Sequence, residues 1–372
     1  MAKKKTQIKN PEISKKLAEL SLMFKISHQI ASSFDLGRIL RTILNMALRI
    51  LKCEVGSIML LDELKGELKI EVARGLPKSI VKRERVGVGD RISGWVLEKG
   101  EPVLCLDIEK DSRFKKRSLE RYYTRSLISA PVVVKGTPIG VININNKRSR
   151  GLFNKDDLSL LMALADEAAV AIENINLYRS FKAEFLSAIK TLAAIIDAKG
   201  GFTRNHSFKV QKYAVAVAKE LKLPEPEIEN LNYASLLHDI GKVGIPDRIL
   251  NKKGTLTKAE WRKIYAHPRA GIRILKEEGA LKSLEPTILY HHERYRGPGG
   301  YPTGTLKGER IPIGARIIAV ADAYSAMISK RPYRKAFTKK DAITELKRCS
   351  GSQFDPKVIR AFLKALRRKR IR

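Results

Sequence analysis

Residues 236–250 read LLHDIGKVGIPDRIL, and in this stretch the adjacent pair His238 and Asp239 follows directly on an apolar run. The chain of 372 residues contains 6 histidines, and 5 of them lie between positions 206 and 292. Histidine is the commonest side-chain ligand of transition metals because neutral imidazole offers a lone pair near neutral pH. The concentration of histidines in one segment of a histidine-poor chain therefore predicts a metal site.

The candidate ligands outside this stretch lie in or beside other segments with helical patterns. In chain order the full set is His206, His238, Asp239, His267, His291, His292 and Asp322. Ligands that reach one core from several helices would hold a metal site rigidly. Imidazoles and carboxylates without thiolates suit iron, manganese, zinc or cobalt. A single histidine is more often structural, but the motifs around these residues favour a shared centre.

Two further stretches complete the pattern, namely HHERYRGPGGYP at residues 291–302 and GARIIAVAD at residues 314–322. Together with residues 236–250 they resemble an HD-GYP domain, a branch of the HD metal-dependent phosphohydrolases, over about residues 185–365. The resemblance implies an all-α domain that hydrolyses cyclic di-GMP, a bacterial second messenger, to linear pGpG or on to GMP. It also implies two divalent transition-metal ions, with iron or manganese expected.

The same resemblance implies a division of the ligands between the two ions. One ion would be held by His206, His238, Asp239 and Asp322. The second would be held by His267, His291 and His292, and Asp239 would bridge the pair. Two neighbouring cations neutralise an anionic phosphodiester and lower the pKa of a shared water, so the ligand set fits the chemistry.

Lys242 follows Asp239 by three residues, and it is predicted to be catalytic together with that aspartate. Its ammonium would steady a nonbridging phosphate oxygen or protonate the leaving group, whereas the alternative is an ordinary surface charge. The substrate contacts implied by the resemblance are Gly299, Gly300, Tyr301, Arg331 and Arg334. Glycines allow a loop to approach a nucleotide closely, and guanidinium groups suit phosphate and guanine.

Three positions depart from the family pattern. Phe202 stands where some members carry a glutamate for a third metal, so two ions are expected. The GYP loop is one residue longer than usual and carries Arg296, and Ser325 stands where a second aspartate is common. The altered GYP loop leaves open the hydrolysis of another cyclic dinucleotide or phosphoester. A second alternative is a signalling module that binds a cyclic dinucleotide without hydrolysing it, although the complete ligand set argues against this.

The amino-terminal half combines helical and strand patterns. Leu36 to Leu51 repeats apolar residues with a helical period, and Asp35 stands at the N-cap position. Strand patterns follow at residues 55–61, 68–72, 102–106, 127–134 and 139–144, and Lys135-Gly136 is a plausible hairpin turn between the last two. An earlier helical piece is predicted between residues 17 and 30. Helices that flank a mostly antiparallel sheet indicate an α+β domain.

Residues 17–178 resemble a GAF domain, a sensory fold. The resemblance rests on Arg91-Ile92-Ser93-Gly94-Trp95-Val96, on Asp107, Asp111, Arg113 and Phe114, and on the strand Pro138-Ile139-Gly140-Val141-Ile142. It implies regulation by an unknown small molecule. Asn146, Lys147, Phe153 and Asp157 also match the pattern of cyclic-nucleotide-binding GAF domains, but the same residues brace the fold in members that bind no nucleotide.

A helical pattern runs unbroken from Asp156 to Ala198. One heptad seam contains Leu161, Ala168, Ile175, Ile189 and Ile196, and a second contains Leu164, Ala171, Tyr178, Phe185 and Leu192. We favour a coiled-coil stalk that pairs two chains in a homodimer; the alternative is an amphipathic helix packed on its own two domains.

The predicted domain order along the chain is a basic arm (1–16), the sensor (17–178), a linker helix (179–198) and the HD-GYP domain (185–372) with a basic tail.

Composition limits the remaining possibilities. Lys and Arg number 73 against 39 Asp and Glu, a formal net charge of +34 that attracts anions, but the charges are scattered and no nucleic-acid-binding motif accompanies them. We therefore expect no dedicated nucleic-acid binding.

Cys53, Cys105 and Cys349 lack the CxxC spacing of a disulfide framework or zinc site. With neither a secretory signal nor a run of 18 apolar residues, a cytoplasmic protein without a membrane span is predicted.

Overall fold

The computed structural model describes residues 35–114, 122–199, 205–276, 279–329 and 336–368. The chain divides into two compact units, with the boundary between Phe181 and Lys182. The helical piece predicted between residues 17 and 30, the basic arm, Phe202, Arg331 and Arg334 lie outside the described residues.

The first unit begins with helix α1, Leu36–Ile50. The Asp35 side chain accepts a hydrogen bond from the Arg38 backbone N–H at 3.0 Å, so the predicted N-cap is confirmed. The apolar residues of α1 recur every three or four positions, and this face is buried against the sheet. It comprises Ile39, Leu40, Ile43, Leu44, Ala47 and Leu48.

Six strands form one antiparallel sheet in the order β3-β2-β1-β6-β5-β4. They are β1 Cys53–Asp62, β2 Glu67–Arg74, β3 Arg85–Gly87, β4 Val103–Cys105, β5 Leu127–Val134 and β6 Thr137–Lys147. Two helices, α2 Lys78–Arg83 and α3 Arg91–Lys99, lie between strands. All five predicted strands are present. β3 escaped prediction because its three residues lie between charged residues and glycines, without the apolar run that marks β4.

The predicted turn between β5 and β6 is confirmed by its backbone angles. Lys135 has φ 49° and Gly136 has φ 80°, both in the left-handed region. Two consecutive residues with positive φ are typical of a type I′ hairpin turn, whose twist matches that of the flanking strands.

Helix α4, Lys155–Lys199, follows the sheet and has the extent that the periodicity predicts. Its seams are occupied within the chain only in part. Leu161, Leu164, Ala168, Ala171 and Ile175 are buried in the core of the first unit, and Ile189 and Ile196 are buried in the core of the second. In the second seam Leu192 is 46% exposed, and Tyr178 and Phe185 are partly exposed. Packing on the chain's own domains therefore accounts for most of the pattern, and the stalk and the homodimer stay predictions.

The second unit is helical. Its described helices are α5 His206–Glu220, α6 Glu225–Leu237, α7 Asp247–Leu250, α8 Lys258–Tyr265, α9 His267–Lys276, α10 Glu285–Tyr290, α11 Ile313–Ile328, α12 Lys339–Arg348 and α13 Pro356–Arg367. Short 3₁₀ turns cover residues 240–244, 279–284 and 308–310. Tyr213, Tyr324 and Phe362 meet edge-to-face in its core. Within the described ranges, no helix combines the length and the apolar character that crossing a membrane requires.

Candidate metal centre

The candidate ligands stand mostly at the ends of helices. His206 begins α5, His267 begins α9, and His238 and His291 are the C-cap residues of α6 and α10. Asp322 projects from the middle of α11. Helix ends allow side chains from separate segments to converge without breaking the packing between the helices. Four helix ends and one helix face thus contribute to a single region of the second unit.

The structure brings all seven predicted ligands together, in two groups. One group contains Asp239, His267, His291 and His292, and the other contains His206, His238 and Asp322. Within each group the candidate ligand atoms lie within 4.8 Å of one another. All are buried except His292 and Asp322, which are partly exposed. In the second group, His206 Nε2 lies 3.1 Å from Asp322 Oδ1.

Asp239 faces both groups. Its Oδ1 lies 3.3 Å from His267 Nε2, and its Oδ2 lies 3.5 Å from His238 Nε2. Each carboxylate oxygen therefore approaches an imidazole of a different group. This is the arrangement required of a carboxylate that bridges two ions.

Three imidazoles are oriented by the backbone of their own segments. The Nδ1 atoms of His238, His267 and His291 lie 2.7–2.8 Å from the carbonyl oxygens of Ser235, Ile264 and Ile288. Each of these carbonyls precedes its histidine by three residues. Because a carbonyl can only accept, each Nδ1 must donate, and the neutral ring then carries its lone pair on Nε2.

The same three Nε2 atoms are buried and make no hydrogen bond within the described part of the chain. A buried acceptor without a partner costs about 1–3 kcal/mol. Three such lone pairs beside carboxylates are therefore unfavourable as they stand. A divalent cation would satisfy them, so the residues present fit a metal site.

His206 is oriented differently. Its Nδ1 lies 3.1 Å from the buried hydroxyl oxygen of Ser325 on α11. The serine that departs from the family pattern therefore contacts a predicted ligand directly.

The protonation states also suit a metal. Burial, reinforced by the neighbouring imidazoles, lowers the pKa of His292 to about 3 and holds that of His291 well below its ordinary value. Burial alone would raise the pKa of Asp239, but Lys242, His238 and His267 outweigh it, and the pKa lies well below the ordinary value. Burial likewise opposes ionisation of Asp322, and His206 outweighs it. Ionised carboxylates and the neutral imidazoles of His291 and His292 are what metal binding requires. His206 differs, because burial opposes its protonation but the Asp322 carboxylate outweighs burial and raises its pKa.

Lys242 lies on the 3₁₀ turn that follows Asp239, and its Nζ pairs with Asp239 Oδ2. The turn packs tightly on the start of α9, because a Cβ on Gly241 would collide with the His267 carbonyl oxygen. Glycine at this position therefore allows the segment carrying Asp239 and the segment carrying His267 to approach each other.

The loop of residues 293–304 covers one side of the site. The buried Glu293 carboxylate accepts hydrogen bonds from the Thr303 N–H at 2.8 Å, the Thr303 hydroxyl at 2.7 Å and the Gly304 N–H at 3.1 Å. Gly299 has φ +93°, and a Cβ on Gly300 would lie 2.6 Å from the Arg294 backbone nitrogen. This packing places the Tyr301 ring on His292, with centroids 4.4 Å apart.

Sequence reasoning missed several residues near the site. The sequence marks Ser325 only as a departure from the family pattern, and it predicts no role for Glu293. It also predicts no role for Trp261 and Tyr265 on α8, which continue outward from Tyr301. Their spacing of four residues places them on one helix face, but it does not reveal what that face meets.

In the first unit, the residues of the cyclic-nucleotide pattern form a brace. Lys147 Nζ at the end of β6 lies 2.6 Å from Asp157 Oδ2 at the start of α4, and 5.4 Å from the centroid of the Phe153 ring. Asp157 also accepts from the Asn154 N–H at 3.0 Å. These contacts join β6 to α4 and match the structural interpretation of the pattern.

A cavity of about 510 Å³ lies elsewhere in the same unit. Ser57, Ser93 and Asn143 provide polar groups in its lining, and apolar walls include Ile70, Ile92 and Leu127. Ser93 Oγ lies 3.2 Å from Asn143 Oδ1. The bracing residues Asn146, Lys147, Phe153 and Asp157 are not part of this lining.

Comparison with known proteins identifies two domains. Residues 35–172 match the GAF domain family, and residues 190–358 match the HD domain family. The chain thus carries a GAF domain followed by an HD domain.

Three curated relatives share substantial identity with parts of the chain. A cyclic di-GMP phosphodiesterase of Pseudomonas aeruginosa is 43% identical over 166 residues, which are 44% of this chain and 39% of that protein. A cyclic di-GMP phosphodiesterase of Thermotoga maritima is 39% identical over 189 residues, half of each chain. The 3'3'-cGAMP-specific phosphodiesterase 2 of Vibrio cholerae is 32% identical over 250 residues, 67% of this chain and 48% of that protein. The chain thus spans half or less of each of these relatives.

Proposed function

We propose that this chain, a GAF domain followed by an HD domain, is a binuclear metal-dependent phosphodiesterase that opens cyclic di-GMP to linear pGpG. The observation that carries the proposal is the position of Asp239, whose two oxygens face two separate groups of buried ligands at 3.3 and 3.5 Å. The relatives named as cyclic di-GMP phosphodiesterases support the choice of substrate.

The ligands fall into the two sets expected from the sequence. His206, His238 and Asp322 would hold one ion, His267, His291 and His292 the other, and Asp239 would contact both. When bound, two divalent ions neutralise a phosphodiester and lower the pKa of a shared water. Iron or manganese fits this set of imidazole and carboxylate ligands.

The chain's own residues would orient the substrate and stabilise developing charge. Lys242, paired with Asp239 Oδ2, would steady a nonbridging oxygen or give a proton to the departing ribose oxygen. The loop of residues 293–304 would exclude water from one side, because Glu293 fixes its far end and Tyr301 lies on His292. Gly299 and Gly300 would allow the nucleotide to approach the loop backbone. Arg331 and Arg334 remain predicted substrate contacts.

A direct assay tests the proposal. Purified protein loaded with iron or manganese is incubated with cyclic di-GMP, and products are separated by chromatography. Appearance of pGpG, with metal close to two ions per chain, is expected. Further conversion to GMP would show that the linear product is cut again. Two bound metals without turnover of any cyclic dinucleotide would instead favour a binding module.

A second candidate substrate is 3'3'-cGAMP. The relative from Vibrio cholerae that carries this name aligns over 250 residues, and the loop carrying Arg296 departs from the usual pattern. Comparison of kcat/KM for the two cyclic dinucleotides under one set of conditions decides between them.

We also propose that the GAF domain regulates turnover through a small molecule bound in its cavity. The support is the volume of about 510 Å³ and the mixed polar and apolar lining. A compound that raises the unfolding temperature of the first unit should also change the rate of hydrolysis. Replacement of Ser57 in the cavity lining by phenylalanine, which narrows the cavity, should weaken the response while leaving basal turnover. A homodimer through α4 is a further expectation, tested by sedimentation.

A further inference from the structure

Four aromatic rings form a continuous row that begins at the candidate metal centre and ends at the surface. The row consists of His292, Tyr301, Tyr265 and Trp261. Successive ring centroids are 4.4, 4.5 and 5.3 Å apart, and successive rings are inclined by 30°, 37° and 28°. These are stacking distances, and the inclinations are far from the perpendicular contacts common in protein cores.

The outer half of the row is exposed. Trp261 and Tyr265 are each 43% exposed, and α8, which carries both, has no buried residue. The helix is held at its start by polar contacts, since Thr257 and Glu260 form a capping box and Lys252 pairs with Glu260. The two aromatic rings are thus only partly covered by the rest of the protein. Large rings left at the surface beside a polar site indicate a binding surface.

The position of the row suits a nucleotide. A phosphate at the histidine cluster would place the attached base one ribose away, within reach of rings that begin at His292. Exposed cations accompany the row: Arg262 lies on α8, and Arg269 on α9 donates to the Pro302 carbonyl at 3.4 Å. An anionic ligand with flat bases would complement both features.

We propose that Trp261 and Tyr265 form a stacking platform for the purine bases of the substrate. The inference rests on the proposed function and extends it, because it assigns base binding to α8 rather than to the GYP loop alone. Every base has a π face, so stacking tolerates base identity. The platform should therefore strengthen binding of guanine and adenine cyclic dinucleotides to a similar degree, and discrimination between them must come from other residues.

The chain offers a direct optical test, since it contains only two tryptophans, Trp95 and Trp261. Trp95 lies in the first unit, where it packs edge-to-face on Phe114, and Trp95→Phe leaves Trp261 as the sole tryptophan. Metal-loaded protein with this substitution is titrated with the non-hydrolysable phosphorothioate analogue of cyclic di-GMP. Quenching of Trp261 is expected, whereas inorganic phosphate, which has no base, should leave the emission unchanged.

Variants then measure the contribution of the platform. Trp261→Ala and Tyr265→Ala should each raise KM for cyclic di-GMP by roughly fivefold to a hundredfold, with kcat and metal content unchanged. Trp261→Phe and Tyr265→Phe keep a ring and should retain most of the affinity. Lys263→Ala is the matched control. Lys263 is two residues from each of the two aromatic residues and therefore lies on the opposite face of α8.

The results separate this inference from the proposed function. Suppose that the wild-type protein hydrolyses cyclic di-GMP, but the alanine variants have an unchanged KM or Trp261 is not quenched. The stacking platform is then wrong, and the proposed phosphodiesterase activity is unaffected. If the variants lose thermal stability but keep the wild-type KM, the aromatic row serves the packing of α8, and the stacking platform is again wrong. If an alanine variant does not fold, the phenylalanine variants and the quenching titration still decide. Wild-type protein that neither binds nor cleaves a cyclic dinucleotide overturns both.

Discussion

Oδ1 of Asp239 lies 3.3 Å from Nε2 of His267, although the two residues come from separate segments of the second unit. Gly241 makes this approach possible, because a side chain there would strike the His267 carbonyl. The other carboxylate oxygen faces His238. One aspartate is thus the only described residue seen to approach imidazoles of both groups within ion-pair distance.

This position predicts that Asp239→Ala removes both ions rather than one. Each ion would lose an anionic ligand, and the remaining imidazoles would face each other across a site with less negative charge. We expect metal content to fall from about two ions per chain towards zero and hydrolysis of cyclic di-GMP to fall to background. Elemental analysis and the chromatographic assay measure the two effects.

Asp355→Ala is the matched control for this experiment. Asp355 is also buried and pairs with Arg316 at 2.6 Å, but it caps α13 and belongs to neither ligand group. Its loss should lower the unfolding temperature and leave the metal content of the folded protein near two. Unchanged turnover in Asp239→Ala would contradict the proposed mechanism.

Ser325→Ala tests the hydrogen bond to His206. Loss of the hydroxyl 3.1 Å from Nδ1 removes a partner that helps to orient Nε2 towards Asp322. Outer hydrogen-bond partners of this kind contribute roughly tenfold to a hundredfold in metal affinity. We expect one of the two ions to dissociate at lower chelator concentration, while the other is retained. Ser325→Thr keeps the hydroxyl and should behave like wild type. Equal loss of both ions would show that Ser325 acts on the whole fold.

The candidate ligands were predictable from sequence because the HD pair, the HH pair and the aspartate of α11 each stand in a distinctive local motif. The sheet was predictable for the same reason, since apolar alternation and the Lys135-Gly136 turn are local signals. The contact between His206 and Ser325 was not, because 119 residues separate them and no local pattern connects the two.

Helix α4 shows where a local pattern is ambiguous. Its heptads fit a partner helix and fit the chain's own cores equally well. Ala168 and Ile189 are buried in separate cores of this chain, whereas Leu192 of the second seam is 46% exposed. Trp261 and Tyr265 illustrate a different limit. Their spacing defines a helix face, whereas the contact with Tyr301 depends on how the GYP loop folds.

Gly300→Ala is predicted to displace that loop. The added Cβ would lie 2.6 Å from the Arg294 backbone nitrogen and 2.8 Å from Glu293 Cα, so the backbone of the loop that carries Tyr301 must shift. We expect a cost of about 1–3 kcal/mol in stability and roughly a hundredfold loss in kcat/KM. Gly254→Ala meets nothing within 4 Å and should leave both unchanged. A Gly300→Ala enzyme with normal kinetics would show that the loop conformation is not required.

The stability of the first unit should depend on pH through Asp111. Its carboxylate accepts from Arg113 at 3.0 and 2.7 Å, and these hydrogen bonds lower its pKa from 3.8 to about 2. A pKa that is lower in the folded state stabilises that state above the unfolded value of about 3.9, and the effect is lost as pH falls towards 2. Unfolding can be followed by Trp95 fluorescence in a Trp261→Phe background. The free energy of unfolding should be higher for wild type than for Asp111→Asn, and this difference (the stability gap) should disappear between pH 4 and pH 2. A gap that stays constant with pH would assign the effect of the substitution to packing.

Lys242 has two possible tasks, and substrate choice separates them. Its ammonium pairs with Asp239 Oδ2 and so lies beside the position proposed for the phosphate. Lys242→Met keeps the length of the side chain and removes the charge. We expect kcat for cyclic di-GMP to fall by roughly 10²- to 10³-fold with both ions retained.

A bis(p-nitrophenyl) phosphate substrate then reveals the role, because nitrophenolate leaves without needing a proton. If Lys242 protonates the departing ribose oxygen, the variant should cleave this ester nearly as fast as wild type does. If Lys242 steadies a nonbridging oxygen, both substrates should slow by a similar factor, because the phosphoryl oxygens are the same in each. Loss of metal in Lys242→Met would contradict both roles and would mean that the ammonium serves chiefly to hold Asp239 in place.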